Sequence, residues 1–321
     1  MKVGIVGDIH QSGYEYFDKN NIEYFVTNNI EENNLIKELS DVDGIIIRTA
    51  ELNENILSKS QKLKIVARHG VGYDNVDTEY LNKNRIAMAI TGKANAVSVA
   101  EHVMTMMLNL TKNISKSDKL TRDNKFKEKA NLPNFFELYN KKILIMGFGR
   151  IGKALAKRCL GFDMEIFVHD PFISENEIIS NNCTPINKDE GFKIADYISI
   201  HLPLNNRTKN LISSNEFKIF KSNLILINTA RGGIINEDDL FEALNNKRIF
   251  GAGIDVFEQE PPIYNHKLFS LENIILTPHN AALTLECRKR MAIECCENVF
   301  NFLSKSKNLI ESNVINLDIL S

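Results

Sequence analysis

No stretch constrains the fold of this chain more than Lys142 to Pro171. Ile143 to Met146 is a short, wholly apolar run, the pattern of a strand buried on both faces of a parallel sheet. It ends in Gly147-Phe148-Gly149-Arg150-Ile151-Gly152, a complete G-x-G-x-x-G. From Ile151 to Leu160 an apolar face runs through Ile151, Leu155 and Cys159, and Gly161 stops it as a helix C-cap does. A second apolar strand, Met164 to Val168, leads to Asp170, and Pro171 ends it.

Each part has a physical role. Gly147 allows the tight turn, Gly149 lets main-chain N–H groups approach a pyrophosphate, and Gly152 lets helix pack on strand. Arg150 and Ile151 open a helix whose first N–H groups and dipole favour an anion. Asp170, 18 residues beyond Gly152, is placed to accept the ribose hydroxyls. Its charge would repel a 2′-phosphate, which favours NAD over NADP. A bare glycine motif is as consistent with an ordinary loop. Strand, helix, second strand and terminal Asp in register make it a dinucleotide site.

At 321 residues the chain exceeds one usual core and suggests two domains. A formal net charge of −2 gives no basic footprint for nucleic acid or an anionic membrane. No apolar run approaches the roughly 18 residues of a membrane span. The opening strand, Lys2–Val6, is too short for a signal peptide. Five cysteines without metal-ligand spacing fit a reducing, cytoplasmic setting, and no metal site is expected.

Before the glycine motif, strands are expected at Lys2–Val6, Tyr24–Thr27, Gly44–Ile47, Leu63–Ala67 and Ala87–Ile90. Helical stretches such as Glu31–Leu39 and Asn55–Ser58 lie between them. The alternation predicts a second parallel α/β sheet. Ala96–Asn113 carries Val99, Val103, Met106, Met107 and Leu110 at helical spacing and reads as a long helix crossing between domains. Its methionines read as packing residues, and His102 within it as a satisfied helix histidine. Residues 115–140 are polar and read as a connecting excursion. Past Asp170, four more strand ends carry polar groups: His201, Asn228–Arg231, Asp255 and Thr277–His279. Ligands of open α/β sheets bind at such ends. Leu285–Leu303 is helical and long enough to return to the first domain, and Val314–Leu317 reads as a closing strand.

A nicotinamide cofactor leaves the protein to bind substrate, orient it and manage one proton. Histidine suits that proton. His169 should point away from the cofactor carboxylate by strand alternation, leaving His201 and His279. His279 is favoured because Glu260, in a loop bounded by Pro261 and Pro262, could set its tautomer. Arg231 leaves a buried strand before Gly232-Gly233, where its fork could hold a carboxylate. Arg48 and the Arg68-His69-Gly70-Val71-Gly72 turn also close buried strands and suit an anionic ligand.

Asn-Thr-Ala-Arg-Gly-Gly (228–233), Gly-Ala-Gly-Ile-Asp-Val-Phe-Glu-Gln-Glu-Pro-Pro (251–262) and Thr-Pro-His (277–279) resemble the signatures of the D-isomer-specific 2-hydroxyacid dehydrogenase family. The resemblance extends over almost the whole chain. It implies two doubly wound parallel-sheet domains, a flavodoxin-like substrate domain (1–99 with 285–321) and a Rossmann NAD-binding domain (100–284). It implies that Arg231 binds and polarises a 2-oxo acid, that His279 is the acid/base and that Glu260 tunes it. His201, Pro203, Thr208, Thr229, Ala230 and Asp255 are implied on the cofactor side. Arg48, Arg68, His69, Gly70, Val71 and Gly72 are implied on the substrate side. Substrate is implied in the cleft between domains, and a homodimer around the long helix, whose Met104, Met106, Met107 and Leu108 exceed one core face.

Within the family, the Arg48 strand end and the Val71–Asp77 turn are most similar to phosphoglycerate-oxidising members. His69 departs from the small residue common there, and no C-terminal regulatory domain is expected. Asn140 replaces a usual Gly, a mild change because Asn tolerates a left-handed turn. Hydroxypyruvate, glyoxylate or a sulfonated acid are alternative substrates. An NAD(H)-sensing regulator is the alternative of another class, expected to lack one of Arg231, Glu260 and His279.

Overall fold

The computed structural model describes residues 1–132 and 134–320. Pro133, in the expected connecting stretch, and Ser321, at the end of the tail, lie outside the described residues. The chain divides into two compact units, Met1–Asn95 with Leu283–Ser321, and Ala96–Ala282.

In the first unit β1 (Lys2–Val6), β2 (Glu23–Thr27), β3 (Gly44–Ile47), β4 (Ile65–Arg68) and β5 (Ala87–Ile90) form one parallel sheet in the order β2-β1-β3-β4-β5. The middle strands are apolar throughout because both faces are covered. One face packs Leu35, Leu39, Ile45, Ile47 and Leu81. The other packs Ile5, Ile46, Ala67 and Ala89 against Ala292, Cys295, Cys296 and Val299. Those four lie on the helix Leu285–Leu303, whose buried stripe is what returns the C-terminal segment to this unit. The expected closing strand reduces to one antiparallel bridge, Ala89 to Val314, because the chain turns helical again at Leu317–Leu320.

In the second unit β6 (Lys142–Met146), β7 (Glu165–His169), β8 (Thr184–Pro185), β9 (Tyr197–Ile200), β10 (Ile225–Asn228), β11 (Gly251–Ile254) and β12 (Ile274–Leu276) form a parallel sheet. Its order is β12-β11-β10-β9-β6-β7-β8. The order reverses between β6 and β9, which makes their carboxyl ends the switch point where such sheets take ligands.

The Met-rich helix runs Ala96–Lys112 and lies in this unit from its first residue. Its apolar surplus is absorbed internally. Met104, Met106 and Met107 are buried with Leu155, Cys159 and Ile227, and Leu108 packs partly against the same cluster. A Cβ at Gly253 would lie 2.8 Å from the Met106 sulfur, so β11 is thin where the helix presses on it. Residues expected as an excursion instead include a helix, Ile114–Arg122, with no buried residue. Its Arg122–Asp118 pair, one turn apart at 2.7 Å, lies on the surface. Ile114 and Leu120 are its only large apolar residues, too few to mark a core-facing helix in the sequence. Asn140 adopts φ 57°, the left-handed turn expected of it.

Candidate active site

Three adjacent strands of the second unit, β10, β11 and β12, deliver Arg231, Glu260 and His279 from the loops at their carboxyl ends. At β10 the Asn228 amide donates to the Arg231 carbonyl at 2.8 Å, and its oxygen accepts from Ala230 N–H at 3.0 Å. The turn bearing Arg231 is thereby tied to a residue only 2% exposed. Arg231 Nη1 donates to the Ala230 carbonyl at 2.7 Å. Gly232 abuts the main chain of Phe257 so closely that any Cβ would overlap its carbonyl. That contact sets the Arg231 turn beside the loop carrying Glu260.

Glu260 accepts the Phe257 N–H on Oε1 at 3.1 Å and faces His279 Nδ1 with Oε2 at 2.7 Å. The imidazole therefore carries its proton on Nδ1 toward the carboxylate and leaves Nε2 for another partner. The pair is about half exposed, so its value is orientation rather than stability. A cavity of about 320 Å³ lined by Phe257, Phe269, Leu276 and Pro278 opens beside it.

His279 sits at φ 51°, a left-handed conformation uncommon outside glycine and a few polar residues. Asp255, fully buried at the end of β11, holds it there. The Asp255 carbonyl accepts the His279 N–H at 2.8 Å. Its carboxylate accepts the Thr277 hydroxyl at 2.6 Å, Asn280 N–H at 2.9 Å and Ala281 N–H at 3.1 Å. Asp255 was expected on the cofactor side. Here its carboxylate binds the turn that carries His279. Ser98 and His102 meet the same turn from the helix Ala96–Lys112, His102 Nε2 lying 3.1 Å from Thr277 Oγ1. That contact makes His102 the satisfied helix histidine expected from the sequence, while its partner in the Thr277 turn was not legible there. The available signal was weak: Ser98 and His102 lie four residues apart on one face of a helix that also carries Glu101, Thr105 and Asn109.

The glycine loop fits a dinucleotide. Gly147 has φ +94°, and a Cβ there would lie 2.6 Å from the His201 carbonyl oxygen. A Cβ on Gly152 would collide with the Gly147 carbonyl, while one on Gly149 meets only open space, the gap a pyrophosphate needs. Gly149 caps the helix Arg150–Leu160, so the N–H groups of Arg150 and Ile151 open onto that space. Asp170 accepts Phe148 N–H at 2.7 Å and Phe172 N–H at 2.9 Å, which binds it to the loop it was expected to serve.

Other expected residues divide in two. His201 Nδ1 and Thr229 Oγ1 are buried without a hydrogen-bond partner at the ends of β9 and β10, where a ligand could satisfy them. His201 Nε2 lies 2.9 Å from Ser199 Oγ, and burial lowers the imidazole pKa to about 4, so it is neutral. Thr208 is engaged in its own turn, its hydroxyl donating to the Pro203 carbonyl at 2.6 Å.

The first unit gathers the remaining candidates at the ends of β3 and β4. Arg48 Nη1 donates to the Asp8 carbonyl at 2.8 Å, and Arg68 Nη1 donates to the His69 carbonyl. Gly70, at φ +151°, makes the turn before Val71 and Gly72. His69 is only 7% exposed, and its Nε2 has no partner. Burial, with Arg48 and Arg68 nearby and Arg288 beyond them, holds its pKa at about 3. It is a neutral ring in a basic setting. Among the described residues no group of three metal-ligating side chains occurs, and no helix is long and apolar enough to cross a membrane.

Residues 104–281 match the family model described as D-isomer specific 2-hydroxyacid dehydrogenase, NAD binding domain. The chain is 30% identical to D-3-phosphoglycerate dehydrogenase of Archaeoglobus fulgidus, over 99% of this chain and 59% of that relative. It is 36% identical to hydroxypyruvate reductase of Thermotoga maritima, over 85% of this chain and 89% of that relative. The chain thus spans about 60% of the phosphoglycerate dehydrogenase and most of the reductase. D-lactate dehydrogenase from Aquifex aeolicus, solved with NAD and lactic acid, superposes with a TM-score of 0.85 at 26% identity, over 98% of this chain and 99% of that one.

Proposed function

This chain belongs to the D-isomer-specific 2-hydroxyacid dehydrogenase family, and on that footing we propose that it interconverts a small anionic D-2-hydroxy acid and its 2-oxo acid with NAD. The observation that carries the reading is the Glu260–His279 pair at 2.7 Å. With Nδ1–H held by Glu260, His279 Nε2 takes the proton of the substrate hydroxyl during oxidation and returns it during reduction. Arg231, on the turn tied to Asn228, presents its guanidinium to the carboxylate and carbonyl oxygens of the 2-oxo acid. Bound NAD supplies the hydride acceptor. Arg231→Ala should cost roughly 3–5 kcal/mol in kcat/KM through loss of a charge-assisted clamp, with the fold intact by circular dichroism.

The substrate we favour is 3-phosphoglycerate with 3-phosphohydroxypyruvate, in a cytoplasmic homodimer at the entry to serine biosynthesis. Supporting it are the three arginines around neutral His69 and the similarity to phosphoglycerate dehydrogenases across nearly the whole chain. A second reading, hydroxypyruvate or glyoxylate, rests on reductases matched over most of both chains. A sulfolactate-type acid would use the same basic setting. NADH absorbance followed with a panel of these 2-oxo acids separates them. Preference for the phosphorylated acid supports the first reading, and preference for an unphosphorylated one moves the assignment. NADH binding without turnover of any acid would make the protein a sensor. Sedimentation at micromolar concentration checks the dimer.

A further inference from the structure

The turn Thr277–Ala281 is gripped from beneath by one face of the helix Ala96–Lys112, and the proton positions in that grip follow from valence. Asp255 is fully buried. Its two oxygens accept the main-chain N–H groups of Asn280 and Ala281, which can only donate. A carboxylate so surrounded is an acceptor, so the one hydroxyl proton of Thr277 points to Asp255 Oδ1 at 2.6 Å. Thr277 Oγ1 then has only lone pairs to offer His102. The His102 nitrogen 3.1 Å away must be an N–H. The order is therefore His102 Nε2–H to Thr277 Oγ1, and Thr277 Oγ1–H to Asp255. Ser98, one helical turn earlier, closes the far end through a 2.7 Å bond to the Ala281 carbonyl.

Between these two anchors sits His279 in its left-handed conformation, which relaxes unless its surroundings hold it. We infer that His102 is a positioning residue for proton transfer: its Nε2–H orients the Thr277 hydroxyl on Asp255 and so keeps the turn that aims His279 at Glu260. The inference rests on Glu260 and His279 being the proton-transfer pair. His102 touches neither of them, and its part is mechanical and electrostatic.

His102→Leu removes the donor at similar volume, and His102→Gln returns an N–H to about the same place. Both are made in the full chain and measured three ways. Hydrogen exchange by mass spectrometry reads the amides of residues 276–282, NADH fluorescence reads binding, and NADH oxidation with the best 2-oxo acid reads turnover. In His102→Leu the 276–282 amides should exchange at least tenfold faster, kcat should fall at least tenfold, and NADH affinity and KM should stay within about threefold of wild type. His102→Gln should recover most of both losses. Unchanged exchange in His102→Leu overturns the inference, and so does faster exchange with unchanged kcat. Equal loss in the Leu and Gln variants also overturns it, since a packing role would not distinguish an N–H donor. Should the wild-type chain turn over no acid, the enzymatic reading fails by itself, while the exchange data still decide whether His102 holds the turn.

Discussion

The side-chain amide of Asn228 donates to the main-chain carbonyl of Arg231 at 2.8 Å, so the last residue of β10 fixes the turn on which the Arg231 guanidinium, proposed to bind substrate, rides. Asn228→Ala removes the hydrogen bonds it makes to that carbonyl and to the Ala230 N–H, at about 1–3 kcal/mol of stability. Substrate KM should rise roughly tenfold as the arginine loses its fixed origin. A thermal melt and a substrate titration check the two effects. Wild-type KM would show that the Arg231 turn holds itself.

Glu260→Gln keeps size and removes charge. The glutamine oxygen can serve one of the two N–H groups now satisfied, Phe257 or His279, and its NH2 faces the other. Turnover should fall on the order of 100-fold with substrate KM little changed, because tautomer control acts in the chemical step. Steady-state kinetics with the fold checked by circular dichroism provide the test. A rise in KM alone would place Glu260 in binding.

Gly147→Ala meets two obstacles. The backbone lies at φ +94°, and the new methyl would come within 2.6 Å of the His201 carbonyl oxygen. The loop must shift, so NADH affinity should drop at least tenfold by fluorescence titration. Gly149→Ala meets empty space in the chain itself. It should fold normally and still lose NADH binding, because its methyl fills the gap a pyrophosphate would need. Intact binding in the Gly149 variant would move the phosphate site elsewhere.

His69 and His201 are buried neutral, with pKa values lowered from 6.5 to about 3 and about 4. Unfolding lets both rings take a proton once pH drops below 6.5. Folded stability should therefore be level above that pH and decline as pH falls toward 4. Urea midpoints at pH 7.5 and pH 5 measure the decline. His201→Gln and His69→Gln should each flatten it, and a wild-type slope in both variants would exclude these rings as its source.

All five cysteines are free and buried. Burial pushes the Cys159 thiol up to about 12 and Cys183 to about 11, and raises Cys287, Cys295 and Cys296 as well. A disulfide reagent at pH 8 should find almost no reactive thiol in the native chain and all five after denaturation. Rapid native labelling would point to local opening of the helix Arg150–Leu160 or Leu285–Leu303, which carry four of them.

The sequence by itself determined the parallel α/β class and the glycine loop, and it marked Asp170, Arg231, Glu260 and His279 as candidates at or just beyond strand ends. These were legible because each depends on local order: apolar runs of strand length, glycines at fixed offsets, and polar residues where a buried strand must end. It misread elements whose signal is not local. The helix Ile114–Arg122 has only Ile114 and Leu120 as large apolar residues, and the surplus methionines of Ala96–Lys112 are absorbed by the helix Arg150–Leu160 and by strands farther along the chain. Only the tertiary structure decided how the turn bearing His279 is held. The Asp255 carboxylate, Thr277, Ser98 and His102 converge from the ends of β11 and β12 and from a helix whose bonds to the turn span 175 and 183 residues. Hydrogen-bond geometry among such distant residues follows from how the sheet and helix pack, and no periodicity along the chain encodes it.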